Sequence, residues 1–256
     1  MGSVTLALAF IGGLFQGTYA LQSGTAATTA TLAVTPLTGE RIQLDIAVYR
    51  GGAIVNDFDL DMTQRMHVIV VTDDFHTFKH LHPRALANGH MVVEMGGLRG
   101  GYHVYADSEP HGAGQQVFRF DVGTGGGPST TGGVHATIVR AGPYVVHVST
   151  LQLRAGREST IAMSITKDGM PASDLQPYLG AAGHAVFLNT RDLTYVHVHP
   201  SVAGAAMHGM DMSDTPEAGP NLTLHANVRE PGTYKLWFEF RGGAVLYTAP
   251  FVVTVR

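Results

Sequence analysis

Two stretches of this chain repeat one metal-ligating pattern, TFKHLHPR at residues 77–84 and TYVHVHPS at residues 194–201. In each, two histidines stand one residue apart and a proline follows. A third histidine precedes each pair by the same interval: His67 before His80 and His82, and His184 before His197 and His199. Imidazole suits copper, zinc, iron and nickel, so three imidazoles on one surface are the makings of a metal site. The second copy adds softer donors. AAMHGMDMSD at residues 205–214 sets Met207, His208, Met210 and Met212 directly after the His-x-His strand, and thioether sulfur favours Cu(I) over zinc, magnesium or calcium.

The composition narrows the chemistry. The chain has 256 residues, a net charge of −4, 14 His, 10 Met and no Cys. Without Cys there is no disulfide framework, thiolate nucleophile, Cys zinc site, iron–sulfur cluster or Cys-ligated copper centre. Without a basic surface there is no basis for nucleic-acid binding, so no nucleic-acid partner is expected. Imidazole and thioether remain as the borderline and soft ligands.

Sliding the sequence on itself by 117 residues shows what positions these groups. His67 falls on His184, His80 on His197, His82 on His199, Pro83 on Pro200, Asp57 on Asp174 and Gly52 on Gly169. Further on, after a length change, GGYHVYAD (100–107) resembles GTYKLWFE (232–239). This is a tandem duplication. Each copy is made of short alternating or apolar runs such as IQLDIAVY, MHVIVVT and VFRFDV between Gly, Asp, Asn and Pro clusters, without sustained helical periodicity. Such runs are expected to form an all-β fold of two tandem antiparallel β-sandwiches, Ig-like or cupredoxin-like. The expected organisation is an apolar N-terminal segment at 1–23, sandwich 1 at 24–122, a Gly/Ser/Thr linker at 123–133 and sandwich 2 at 134–256.

A hairpin turning at Asp73-Asp74 places His67 opposite His80, and one turning at Thr190-Arg191 places His184 opposite His197. Opposed residues share a face, as do residues two apart, so all three imidazoles of each copy project to one side. That face also carries Ile69, Val71 and Phe78, or Val186, Leu188 and Tyr195, and is expected to point into the sandwich. The competing reading is that these histidines are hydrogen-bonded core residues copied with the fold. His90 and His225 are weaker candidates for a further ligand. His103, His111, His135 and His147 have no histidine at the repeat position and are read as surface or incidental, while Met62 and Met163 are read as core. Turn chemistry accounts for Asp57 and Asp174.

No charge precedes Glu40, and VTLALAFIGGLF (4–15) has the length of a signal-peptide apolar region, with Thr18-Tyr19-Ala20 suited to cleavage; the basic start is missing. The alternatives are a membrane anchor or a strand, including one that self-assembles by joining a neighbour's sheet edge.

HAVFLNTRDLTYVHVHP, with DLQPYLGAAGH before it and TAPFVV after it, resembles a family of uncharacterised bacterial exported proteins whose pattern is roughly Pro-Tyr-Leu-Gly-Ala-x-Gly-His, an apolar strand, then Asp-Leu-x-Tyr-x-His-x-His-Pro. The resemblance covers most of residues 40–256. It implies an all-β fold, a periplasmic or extracellular location, and an association with heavy-metal or copper handling. Copy one departs from it, with Leu60 to Thr63 in place of Pro-Tyr-Leu-Gly. The expectation is an exported protein that sequesters or delivers a metal ion, copper first and zinc second, and is not an enzyme. A three-His copper enzyme is a further alternative, but no acid/base or substrate-positioning constellation accompanies the histidines. A structural or adhesive module is another.

Overall fold

Side chains alternate between buried and more exposed along Thr28–Leu37 and Arg41–Arg50, the period of two of strands with one face on a core. The same alternation recurs along Arg157–Lys167 and Asn221–Val228. A computed structural model describes residues 12–22, 27–123, 135–204 and 218–256. Residues 1–11, all of the expected linker except Gly123, and Met207, His208, Met210 and Met212 lie outside the described residues. The described residues form strands and turns with no helix. The chain comprises two compact units, Met1–Ser129 and Thr130–Arg256.

In the first unit, one sheet runs in the order Gly13–Gln16, Thr28–Leu37, Arg41–Arg50, Met91–Gly96, Arg84–Ala85. The other runs Thr18–Gln22, Gln116–Val122, Tyr102–Pro110, Met66–Thr72, Phe78–Leu81. The sheets pack face to face. Leu32, Leu44 and Ile46 from one meet Val68, Val70, Val104, Phe118 and Phe120 from the other in one apolar core.

The second unit repeats the plan. Ile138–Ala141, Tyr144–Val148, Arg157–Lys167, Asn221–Val228 and Ser201–Val202 form one sheet. Gln152–Leu153, Val245–Val255, Gly232–Gly242, His184–Asn189 and Tyr195–Val198 form the other. Its core joins Val146, Ile161, Met163 and Leu224 to Phe187, Phe238 and Phe251. All pairings are antiparallel except that of Gln152–Leu153 with Val245–Val255. The fold class is therefore as expected, an internally duplicated pair of antiparallel β-sandwiches.

Within residues 12–22, part of the apolar segment read as signal peptide, anchor or strand, Gly13–Gln16 and Thr18–Gln22 are strands. Gly13–Gln16 pairs with Thr31–Val34 at the edge of the first sheet, and Thr18–Gln22 pairs with the second sheet at Gln116–Arg119. Gly17 makes the crossing between them. A Cβ there would lie 2.9 Å from the Phe120 ring and 3.1 Å from Phe118, so the backbone needs a glycine to lie this close. Tyr19 packs on Phe118, ring centroids 4.7 Å apart, and its hydroxyl bonds to Thr28.

Candidate metal centres

Each histidine hairpin closes on a four-residue loop. In the first, Val68 pairs with Leu81 and Ile69 with His80; in the second, Ala185 pairs with Val198 and Val186 with His197. The two-residue turns expected from the sequence are thus corrected. His80 stands opposite Ile69, not His67, and His197 opposite Val186, not His184. The cause is side-chain bonding within the loops. Asp74 accepts hydrogen bonds from the Thr72 hydroxyl (2.6 Å) and the His76 amide (3.0 Å), which hold its carboxyl below the usual carboxylate range. In the second hairpin Asn189 accepts from the amides of Arg191 (2.9 Å) and Asp192 (3.3 Å). The shift moves each partner by two positions, which keeps the face.

That face is the second correction. Met66, Val68 and Val70 line the sandwich core, as do Ala185 and Phe187. His67, Ile69 and Val71, like His184, Val186 and Leu188, therefore point to the opposite side of the sheet, which is also buried.

In the first unit the three imidazoles converge. His67 Nδ1 lies 2.9 Å from His80 Nε2, and His82 Nε2 lies 3.2 Å from each of those two atoms. Hydrogen bonding cannot satisfy such a triangle. Each nitrogen presents either a proton or a lone pair, so at least one of the three pairs must set like against like. A cation facing three lone pairs removes the conflict. Nitrogens bound to one ion at about 2.0–2.1 Å, with angles of about 90–110°, lie about 2.9–3.4 Å apart, the size of this triangle. The other ring nitrogen of His67 supports the same protonation pattern. Nε2–H points to the Asp61 carbonyl at 3.4 Å and lies 3.7 Å from the Asp61 carboxylate, which leaves the lone pair on Nδ1.

The second unit repeats the arrangement with a longer leading pair. His184 Nδ1 lies 3.3 Å from His197 Nε2, and the His199 ring centroid is 4.6 Å from each of the other two. His184 Nε2–H donates to the Tyr178 carbonyl at 3.1 Å. Asp61 and Tyr178 occupy the same repeat position. Each opens a tight turn, bridged Asp61 to Gln64 and Tyr178 to Ala181, whose next residue is left-handed, Met62 at φ 54° and Leu179 at φ 51°. Met62 is therefore a turn residue and not core, whereas Met163 is core. The missing Pro-Tyr-Leu-Gly of copy one does not remove the turn, because the acceptor is a backbone carbonyl. The Tyr178 ring stands edge-on to His184 at 5.3 Å, and burial pushes its hydroxyl up to about 12, which keeps it neutral.

Two carboxyl residues beside these sites escaped the sequence reading. Asp107 is the register partner of His67 and Glu239 that of His184, so each lies on the histidine face. Both are buried; Gln115 donates to Asp107 at 2.8 Å and Thr248 to Glu239 at 3.3 Å. Burial pushes the Glu239 carboxyl up to about 8, against a smaller lowering from Thr248. The signal was present in the aligned YHVYAD and YKLWFE, both ending in an acid at the same repeat position.

The remaining histidines go elsewhere. His90 pairs with Asp45 at 2.6 Å and His225 with Glu158 at 3.3 Å, both on the other sheet of their units. His103 is not incidental: it is buried between Asp121 at 2.6 Å and Asp73 at 3.3 Å. His111 pairs with Asp59 at 2.8 Å at the surface. Asp174 accepts from Lys167 at 2.6 Å and Tyr144 at 2.8 Å, a structural tie.

A single family model matches the chain twice, at residues 23–126 and 137–256, with one match in each sandwich. The chain belongs to the family described as Domain of unknown function (DUF8832). No curated protein sequence matches it. Among solved structures, a glycosyl hydrolase family 2 member from Bacteroides cellulosilyticus is 9% identical, with a TM-score of 0.24 over 91% of this chain and 29% of that one. An alpha-2-macroglobulin of Salmonella is 12% identical, with a TM-score of 0.25 over 96% of this chain and 21% of that one. The chain thus spans under a third of the length of either.

Proposed function

We propose that each sandwich is a copper-binding module and that the protein sequesters or delivers the ion outside the cytoplasm. The observation that carries metal binding is the triangle of ring nitrogens from His67, His80 and His82, with edges of 2.9, 3.2 and 3.2 Å, together with the matching gathering of His184, His197 and His199, whose leading nitrogen pair is 3.3 Å apart. An all-imidazole set suits Cu(II) and Zn(II), and the thioethers of Met207, Met210 and Met212 tilt the second site towards Cu(I). The carbonyls of Asp61 and Tyr178 orient the first histidine of each set and leave its ligating nitrogen unprotonated. The apolar run at 4–15 supports export. Cleavage after Ala20 would cut within the strand Thr18–Gln22 and strip one edge strand from each sheet of the first sandwich. A processing point upstream of Gly13 is compatible with the fold.

Metal analysis and competitive titration of untagged full-length protein test this reading. The expected result is two copper ions per chain, reduced to one by either H82A or H199A. Copper binding weaker than about millimolar, or a stoichiometry that neither variant changes, overturns it.

A further inference from the structure

The groups set behind the first histidine of each set differ in charge. In the first unit the Asp61 carboxylate lies 3.7 Å from His67 Nε2, whereas the other ring nitrogen, Nδ1, faces His80 and His82. In the second unit Tyr178 holds that repeat position and offers a phenol ring beside the same kind of carbonyl contact. The neighbouring strand pair extends the contrast: Asp59 is paired with Glu109 in the first unit, and Gln176 with Arg241 in the second. Two of these surroundings do not separate the ligand rings. Asp59 is engaged by His111 at 2.8 Å, and Asp107 and Glu239 hold matching positions. Arg65, in the same turn as Asp61, is exposed, where water and salt screen its charge. The difference closest to a ligand ring is therefore Asp61 against Tyr178.

A carboxylate behind a ligating imidazole acts through the ring. Set against the far N–H, it raises the basicity of the ligating nitrogen, and its charge also attracts the ion directly. The direct attraction is proportional to the charge on the ion, so a divalent ion gains about twice what Cu(I) gains. The Asp61 side chain is 35% exposed while that of His67 is 1% exposed. Solvent thus weakens the charge at its source, but the path from His67 to the ion is dry, which places the effect at the lower end of the roughly 10–100-fold range of outer-shell partners.

We propose that Asp61 sets ion selectivity between the two sites: acting through His67, its carboxylate tunes the first site to a divalent ion, while the second, with Tyr178 there, takes Cu(I). This rests on the metal-binding reading above.

The test uses full-length protein carrying H184A/H199A, which leaves the first site alone, titrated with Cu(II), Zn(II) and Cu(I) against chelators of known affinity. D61N keeps the carbonyl and the turn and removes the charge. The expected result is about tenfold weaker binding of Cu(II) and Zn(II) with Cu(I) nearly unaffected. The reduction potential of the bound copper then rises by about 59 mV. D61S should behave as D61N does, and D61E should restore the parent ratio of Cu(II) to Cu(I) affinity, which a merely structural role of the side chain would not do. In H67A/H82A protein, Y178D should shift the second site towards Cu(II). If the Asp61 variants weaken both oxidation states alike, or neither, the selectivity role is overturned and metal binding stands. If the H184A/H199A parent binds none of the three ions, both fall.

Discussion

The two histidine sites share a skeleton and differ in what surrounds it. Both use a histidine strand, a four-residue loop, a His-x-His strand and a carbonyl from a left-handed turn at the same repeat position. Around that frame Asp107 becomes Glu239, Tyr105 becomes Trp237, Met66 becomes Gly183 and Arg84 becomes Ser201. The leading pair of ring nitrogens is 2.9 Å apart in the first site and 3.3 Å in the second, while the third ring stands as near its partners in both, His82 at 5.1 and 4.6 Å between ring centroids and His199 at 4.6 Å from each. Duplication has kept the three histidines and the carbonyls that orient the first of them, and has let the residues around them diverge.

The largest expected effect comes from removing a ligand. H67A in a chain silenced at the second site by H184A/H199A should weaken copper binding at least about hundredfold, beyond the roughly 10–100-fold typical of orienting groups. Competition against a chelator of known affinity measures it. Equal affinities for H67A and its parent would mean that the triangle is not the site.

Next is a change in fold stability confined to one unit. A Cβ on Gly183 would lie 2.6 Å from the Glu239 carbonyl oxygen and 2.7 Å from the Phe238 ring, and backbone cannot step aside as a side chain can. G183A should destabilise the second sandwich by about 1–3 kcal/mol. Hydrogen exchange should quicken in His184–Asn189 and not in Met66–Thr72, where the matched residue is a buried methionine.

The pH dependence separates the units further. Glu239 is raised to about 8 in the fold from 4.5, so the folded second sandwich keeps a proton that the unfolded chain releases. This contribution is fully present below the unfolded value and is lost as pH rises through the folded one. In metal-free buffer, E239Q should flatten the fall in Tm between about pH 5 and about pH 9, with a gain of at most a few kcal/mol at the alkaline end. An unchanged pH profile would show that Glu239 is ionised in the fold.

The smallest expected effect belongs to the insertion. With the first site silenced, replacing Met207, Met210 and Met212 by leucine should weaken Cu(I) binding about tenfold and leave Cu(II) nearly unaffected, since sulfur is lost and bulk is kept. Equal loss for both oxidation states would make the insertion a general part of the site.

How much of this was legible in the sequence follows from what a period of two can convey. The duplication, the strands and the gathering of each histidine set on one face were readable, because opposed residues and residues two apart share a side whatever the loop centre, provided it shifts by whole residues. Which side that is was not readable, since Met66, Val68 and Val70 are as apolar as Ile69 and Val71, and an alternation between two apolar sets carries no sign. The loop centre depended on side-chain acceptors at Asp74 and Asn189, whose effect is felt only once the strands are paired. The orienting group is a carbonyl, which every residue possesses, so Asp61 and Tyr178 could do the same work with different side chains. Side-chain type and spacing are sequence properties. The choice of face, the 2.9–3.2 Å convergence and the acceptors that fix the ring protons arise only when distant backbone segments are brought together, and tertiary structure alone decided them.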